Sequence, residues 1–239
     1  AIPVTARRCR CHGNLDSHGH HRAACARSGV LRSRAGPLER ATARVCREAG
    51  ARVEENVLLQ RMNIGGISAH DGRQIEVVAN GLPLWGGAQL AVDVTLVSPV
   101  RGNGQPQPGA GRQDGAQLRV ARSRKEGKYR ELLSTRRCRL VVLAMEVGGR
   151  WSTEALQFVQ LLAKARARGV PRILRAATQV AFTQRWTGML AVAAQRALAR
   201  TLLEAPVSAV VGTDGDAPVL EDVLAEVRLG EDGIPSRLR

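Results

Sequence analysis

Aromatic side chains are scarce in this chain: two Phe, one Tyr and three Trp, 3% of 239 residues. A single-strand binder that stacks successive bases on a row of aromatic platforms needs more of them, and that class is excluded. Lysine is almost absent, with Lys125, Lys128 and Lys164 the only three. No run approaches the roughly 18 apolar residues of a membrane span. The opening AIPVTARRCR lacks the apolar core of a secretory signal and has no initiator Met. The expectation is a piece of a longer protein, with no membrane partner. There is no GxxxxGK[ST] phosphate loop and no GxSxG nucleophile elbow. VGTDGD, the nearest Gly-rich segment, lacks the strand-to-helix context of a nucleotide fingerprint. No small-molecule cofactor is therefore expected.

What is abundant is arginine. Lys and Arg total 36 against 21 Asp and Glu, a formal net charge of +15. Such an excess points to a polyanionic partner, nucleic acid first. The five cysteines are an odd number and form no disulfide framework. Cys9, Cys11 and Cys25 cluster with His12, His18, His20 and His21, while Cys46 and Cys138 stand alone in apolar surroundings.

Residues 1–36 are too polar to bury a core and need a metal to fold. Within CRCHGNLDSHGHHRAAC, the set Cys9, Cys11, His20 and Cys25 keeps the H-x4-C end of a zinc knuckle. Its Cys-x-Cys start is one residue shorter than usual, and His12, His18 or His21 could substitute in a tetrahedral Zn2+ site. The other reading of this segment is a disordered basic arm.

Residues 37–50 show helical spacing, with Leu38, Ala41, Val45, Cys46 and Ala49 inward. Glu39, Arg40, Arg44, Arg47 and Glu48 are expected to face away. Residues 51–59 read as a strand, in which Glu54 and Glu55 are either solvated charges or further acids for a metal site. Residues 100–113 read as a mobile loop. Residues 114–135 form a helix with one strongly basic face: Arg119, Arg122, Arg124, Lys125, Lys128 and Arg130. RLVVLAMEV is apolar throughout, as a strand covered on both faces should be. Glu146 at its end either approaches the site or is structural. Residues 152–168 are amphipathic, with Leu156, Val159, Leu162 and Ala163 inward. Residues 172–204 are expected as two helical pieces broken near Thr187-Gly188, with Trp186 and Met189 in the core. Residues 205–239 form a tail, partly disordered, with one short helix near 220–227.

The stretch 73–99 organises the rest. It reads as two strands around a Gly/Pro-rich turn. In the second, Leu90, Val92, Val94 and Leu96 share one face and Asp93 and Thr95 the other. A carboxylate in an otherwise apolar strand is costly without a partner. If the strands pair, Glu76 and Asp93 converge as a hard divalent cation requires.

A carboxylate on one strand, Asp93-Val94-Thr95 on the next, then a basic helix with Lys128-Tyr129 resembles the restriction-enzyme-like endonuclease domain of non-long-terminal-repeat retrotransposons. That domain is a variant of the PD-(D/E)xK nuclease fold, and the resemblance covers roughly residues 9–203. It implies an α/β fold: an αβββαβ core over 37–204, with an N-terminal zinc-knuckle-like segment and C-terminal helices. It also implies a Mg2+- or Mn2+-dependent DNA endonuclease that nicks a target site in the nucleus, with element RNA as a further partner. Glu76 and Asp93 would hold Mg2+. Thr95 stands where simpler members have lysine. Lys125 or Lys128 would supply that lysine, with Lys128 favoured by its Lys-Tyr pair. Arg119, Arg122, Arg124, Tyr129 and Arg130 would contact nucleic acid. Glu76 replaces the usual Asp, and no Tyr-x-Asp-Asp of a polymerase is present. The alternatives are a non-catalytic nucleic-acid-binding module and a decayed fragment of such an element.

Overall fold

The computed structural model describes residues 8–28, 31, 34–62 and 64–203. The expected tail and its helix near 220–227 lie outside them. Six helices and four strands run in the order α1 (His20–Ala24), α2 (Gly36–Glu48), β1 (Arg52–Leu58), β2 (Gln74–Asn80), β3 (Gln89–Val97), α3 (Ala116–Lys128), α4 (Arg130–Ser134), β4 (Cys138–Glu146), α5 (Thr153–Ala167) and α6 (Arg175–Leu203). The strands form one sheet in the order β1-β2-β3-β4. The first three are antiparallel, and β4 runs parallel to β3. A parallel neighbour needs a crossover, which α3 and α4 supply.

Alternation along the strands divides the core in two. Val77, Ala79, Leu90, Val92, Val94, Leu96, Val141, Leu143 and Met145 pack with buried residues of α2, α5 and α6. Val78, Ala91, Leu140, Val142 and Ala144 pack with Leu118, Tyr129 and Leu132 of the α3–α4 region. With helices on both faces, β4 can be apolar from Leu140 to Met145, between Arg139 and Glu146.

Local chemistry sets the ends of the elements. α2 carries Pro37 in its first turn. It stops in a Schellman arrangement: Gly50 has φ +99°, Ala51 N–H donates to Cys46 C=O at 3.0 Å, and Gly50 N–H to Arg47 C=O at 2.8 Å. Ser152 Oγ accepts from Ala155 N–H at 3.1 Å and starts α5.

Several expectations are corrected. α6 is one helix of 29 residues, with no break at Thr187-Gly188. Its buried row of Ala181, Phe182, Trp186, Leu190, Ala193, Ala194 and Ala197 continues across the glycine, so packing overrides local propensity. The 114–135 helix is broken at Tyr129, whose φ −123° and ψ 46° are non-helical. Its ring is fully buried and its hydroxyl donates to Gln74 C=O at 2.8 Å, which pulls the chain toward β2. In α5, Phe158 rather than Leu156 packs inward, and Leu156 is 40% exposed. Residues 100–113 are a loop, as expected, built of turns, with Arg101 N–H to Gln105 C=O at 2.7 Å and Gln107 N–H to Pro99 C=O at 2.8 Å.

Candidate metal and nucleic-acid site

The β2–β3 ladder ends at the pair Val77 and Val92. One step further in the same register places Glu76 beside Asp93. Period-two alternation sends both side chains to the face that Val78 and Ala91 share with α3. From α3, Lys125 Nζ reaches 2.5 Å from Asp93 Oδ1 and 3.9 Å from Glu76 Oε1. Asp93 is wholly buried. Neither of its oxygens receives a well-aligned hydrogen bond, and Glu76 Oε2 lacks one too.

The charge of this pair is felt by half-buried Glu39 on α2. Burial raises the pKa of Glu39, and the charge of Asp93 raises it further. Glu76 is pushed up to about 7, first by burial and then by Asp93, with Lys125 partly offsetting both. One ammonium against the two carboxylates Glu76 and Asp93 leaves them incompletely compensated in a low-dielectric site. Asp93 Oδ1 is taken by Lys125, which leaves Asp93 Oδ2 and Glu76 Oε2 as the carboxylate oxygens without a hydrogen bond.

Glu39 was expected to face away, and so was Glu48. Both expectations fail. Glu39, Thr42, Ala43 and Cys46 fall at i, i+3, i+4 and i+7, one face of α2, and the last three are buried. The signal was a carboxylate on the apolar stripe, obscured by the arginines around it. Glu48 is 3% exposed and anchors α2 to α6 by accepting from Trp186 Nε1–H at 2.8 Å, with Arg44 and Arg185 alongside.

The other expected site residues separate. Thr95 follows Asp93 on the same face of β3 and is half-buried. Lys128 does not reach the carboxylates: its Nζ lies 4.6 Å from the centre of the Tyr129 ring. Lys128 is the last residue of α3, and the chain turns away at Tyr129. Tyr129 has no exposed surface and is a packing residue, so its ring is closed to nucleic acid. Burial, then the charges of Asp93 and Glu76, raise its pKa. Arg119, Arg122, Arg124 and Arg130 are exposed, as a nucleic-acid face requires. Arg122 also pairs with Glu126 at 2.8 Å and Glu154 at 3.2 Å. Glu54 is exposed, Glu55 pairs with Arg47 at 2.6 Å, and Glu146 lies 3.5 Å from Arg150. Arg73 braces the α3–α4 break by pairing with Asp71 and Glu131 and donating to Lys128 C=O.

The N-terminal cysteines assemble a second cluster. Cys9, Cys11, His21 and Cys25 place their ligand atoms within 4.8 Å of one another. Cys11 Sγ is 3.2 Å from His21 Nε2, and Cys9 Sγ is 3.9 Å from Cys25 Sγ. A tetrahedron with bonds of about 2.3 Å has edges of about 3.8 Å, so this set could hold a metal ion such as zinc. The histidine is His21 and not His20. Asp16 accepts from the backbone N–H of His18, His20 and His21 at 2.9–3.0 Å, which starts α1. Adjacent helical residues diverge by about 100°. His21 thus turns to the thiols, while His20 lies 3.5 Å from Asp16 and stacks on His18. The short Cys-x-Cys turn is closed by His12 N–H donating to Cys9 C=O at 2.8 Å, and His12 itself has φ 68°. The Cys11 thiol is lowered to about 6, chiefly by the Gly13 N–H and then by Cys25.

This segment is tied to β3. Arg34 is buried and donates to Ala23 C=O at 2.6 Å and also to Leu96 C=O, one residue beyond Thr95. Arg22 donates to Leu202 C=O in α6. Comparison with known proteins adds no identification: no family model and no curated protein matches the chain.

Proposed function

We propose that the chain is a divalent-metal-dependent DNA endonuclease of the PD-(D/E)xK type, related to the restriction-enzyme-like domain of retrotransposon proteins and acting as a nuclear target-site nickase. The observation that carries this reading is Asp93, fully buried with both oxygens lacking well-aligned donors, beside Glu76 and against Lys125. The order α2, β1, β2, β3, α3, β4 supports it, since it is the αβββαβ order that the resemblance implies.

Glu76 and Asp93 would hold Mg2+ or Mn2+. Such an ion supplies a water of lowered pKa and neutralises charge on the phosphoryl oxygens. Lys125 moves from Asp93 to the phosphate as negative charge develops there, and stabilises it. Thr95 donates its hydroxyl to Asp93 or to the phosphate. The exposed arginines of α3 hold flanking phosphates.

The test is nicking of supercoiled plasmid with Mg2+, Mn2+ or EDTA. Wild type is expected to nick with either ion and stop with EDTA. Asp93→Ala should abolish nicking and leave DNA binding nearly intact. A wild type that binds DNA but never nicks it favours the non-catalytic binding module.

A further inference from the structure

A cavity of about 430 Å3 lies across β4 from the sheet interior, between the first turns of α3 and α5. That is a common size for a small-ligand site. Leu118 and Val142 line it with apolar surface, Trp151 adds an indole, and Arg119, Arg122 and Arg150 add charge. None of these took part in the metal clusters. We propose that this cavity is a nucleotide subsite, which takes one base against Trp151 and its phosphate on the arginines. The proposal rests on the nuclease reading, because it places there a nucleotide of the strand being cut.

The charges favour a phosphate over a cation. Arg150 pairs with Asp114 at 2.8 Å, but Asp114 is 90% exposed and easily exchanged for another anion. Arg122 is shared with Glu154. Arg119 donates to Asp114 C=O at 3.0 Å and has no carboxylate within ion-pair distance among the described residues. Arg122 also meets Glu126 and Arg150 also meets Glu146, so Arg119 is the lining arginine without a carboxylate partner among the described residues. The N-termini of α3 and α5 both open on the cavity, and each carries partial positive charge. A phosphate would be met by Arg119 directly and by Arg150 on release of Asp114.

The position fits a strand leaving the carboxylates. Arg119, Arg122 and Lys125 recur every three residues along α3, a row of about 9 Å. That is about one to two nucleotides. A base turned inward there meets the indole and an apolar floor. Stacking on an aromatic ring is sequence-tolerant. One platform also agrees with a chain too poor in aromatics for a row of them.

The experiment uses the full chain and a single-stranded oligonucleotide carrying 5-iodouracil. Ultraviolet crosslinks are mapped by mass spectrometry, and binding is read by fluorescence anisotropy. The expected crosslink is at Trp151. Arg119→Ala, an exposed change with no effect on fold, should weaken binding about tenfold. Trp151→Leu should weaken it similarly, and an abasic oligonucleotide should remove that difference. Free 5-iodo-dUMP should label Trp151 only at far higher concentration. Equal labelling by the free nucleotide overturns the strand as its source. Crosslinks elsewhere, or unchanged binding by Arg119→Ala, overturn the subsite. Nicking is measured on the same samples. A chain that nicks but crosslinks elsewhere loses the subsite and keeps the nuclease. One that crosslinks at Trp151 and never nicks keeps the subsite and loses the nuclease.

Discussion

Lys125 is the residue on which the carboxylate cluster depends. Its side chain is 22% exposed, yet it contacts a carboxylate with no exposure at all. Removing it leaves Asp93 charged, buried and unpaired. Lys125→Met should cost about 2 kcal/mol in divalent-free buffer, somewhat below a fully buried pair because the ammonium reaches solvent. Added Mg2+ should raise the melting temperature of this variant more than that of wild type, since an ion replaces the lost charge. Thermal denaturation with and without Mg2+ checks both. The pH dependence follows from Glu76. Its pKa is raised in the folded chain, so the native state binds the extra proton. That contribution is fully present below the unfolded carboxyl value near 4.5. It is lost as pH rises toward about 7. With EDTA present, stability should fall across that window, and Glu76→Gln should flatten the fall. A stability curve that rises from pH 5 to 7 would mean the carboxyl is not buried as described.

At the scale of elements, the strands were the most legible part. Asp93 and Thr95 interrupt an apolar alternation, and alternation in a sheet fixes which face a residue takes. Half-buried Glu39 was hidden because α2 carries exposed and half-buried arginines next to its buried positions. A helical stripe is wider and softer than a strand face. The break at Tyr129 was invisible because a buried hydroxyl bonded to a neighbouring strand has no local signature. α6 shows the reverse: Thr187-Gly188 looked like a break, but a buried row runs through it. Nothing lies within 4 Å of a methyl group placed on Gly188. Gly188→Ala should therefore stabilise the chain by roughly 0.5–1 kcal/mol through helix propensity. Urea denaturation reads this, and destabilisation would restore the two-piece helix. In the cysteine cluster, a Cβ at Gly13 would fall 2.3 Å from His21 Cε1. Gly13→Ala should displace His21 and weaken Zn2+ binding by at least tenfold in a competitive chelator titration.

At the scale of the whole molecule, the two clusters are joined by backbone. Arg34 spans from Ala23, beside the cysteine cluster, to Leu96 on the strand that carries Asp93. Gly102 and Gly104 let the 100–113 turns close over His21 and His20. None of this could be read from the chain, because both partners of Arg34 are carbonyls, which every residue has. The formal charge of +15 gave the polyanion expectation, but composition alone does not place it. Arg119 and Arg122 lie about one to two turns from Lys125, so the basic face shares a helix with the lysine that contacts the carboxylates. The account stands or falls on whether those carboxylates take a divalent cation. Electron paramagnetic resonance during a Mn2+ titration of the zinc-loaded full chain tests this most directly. One bound Mn2+ is predicted for wild type, lost in Asp93→Ala while zinc content is unchanged. No bound Mn2+ in wild type, or the same binding by Asp93→Ala, would contradict it.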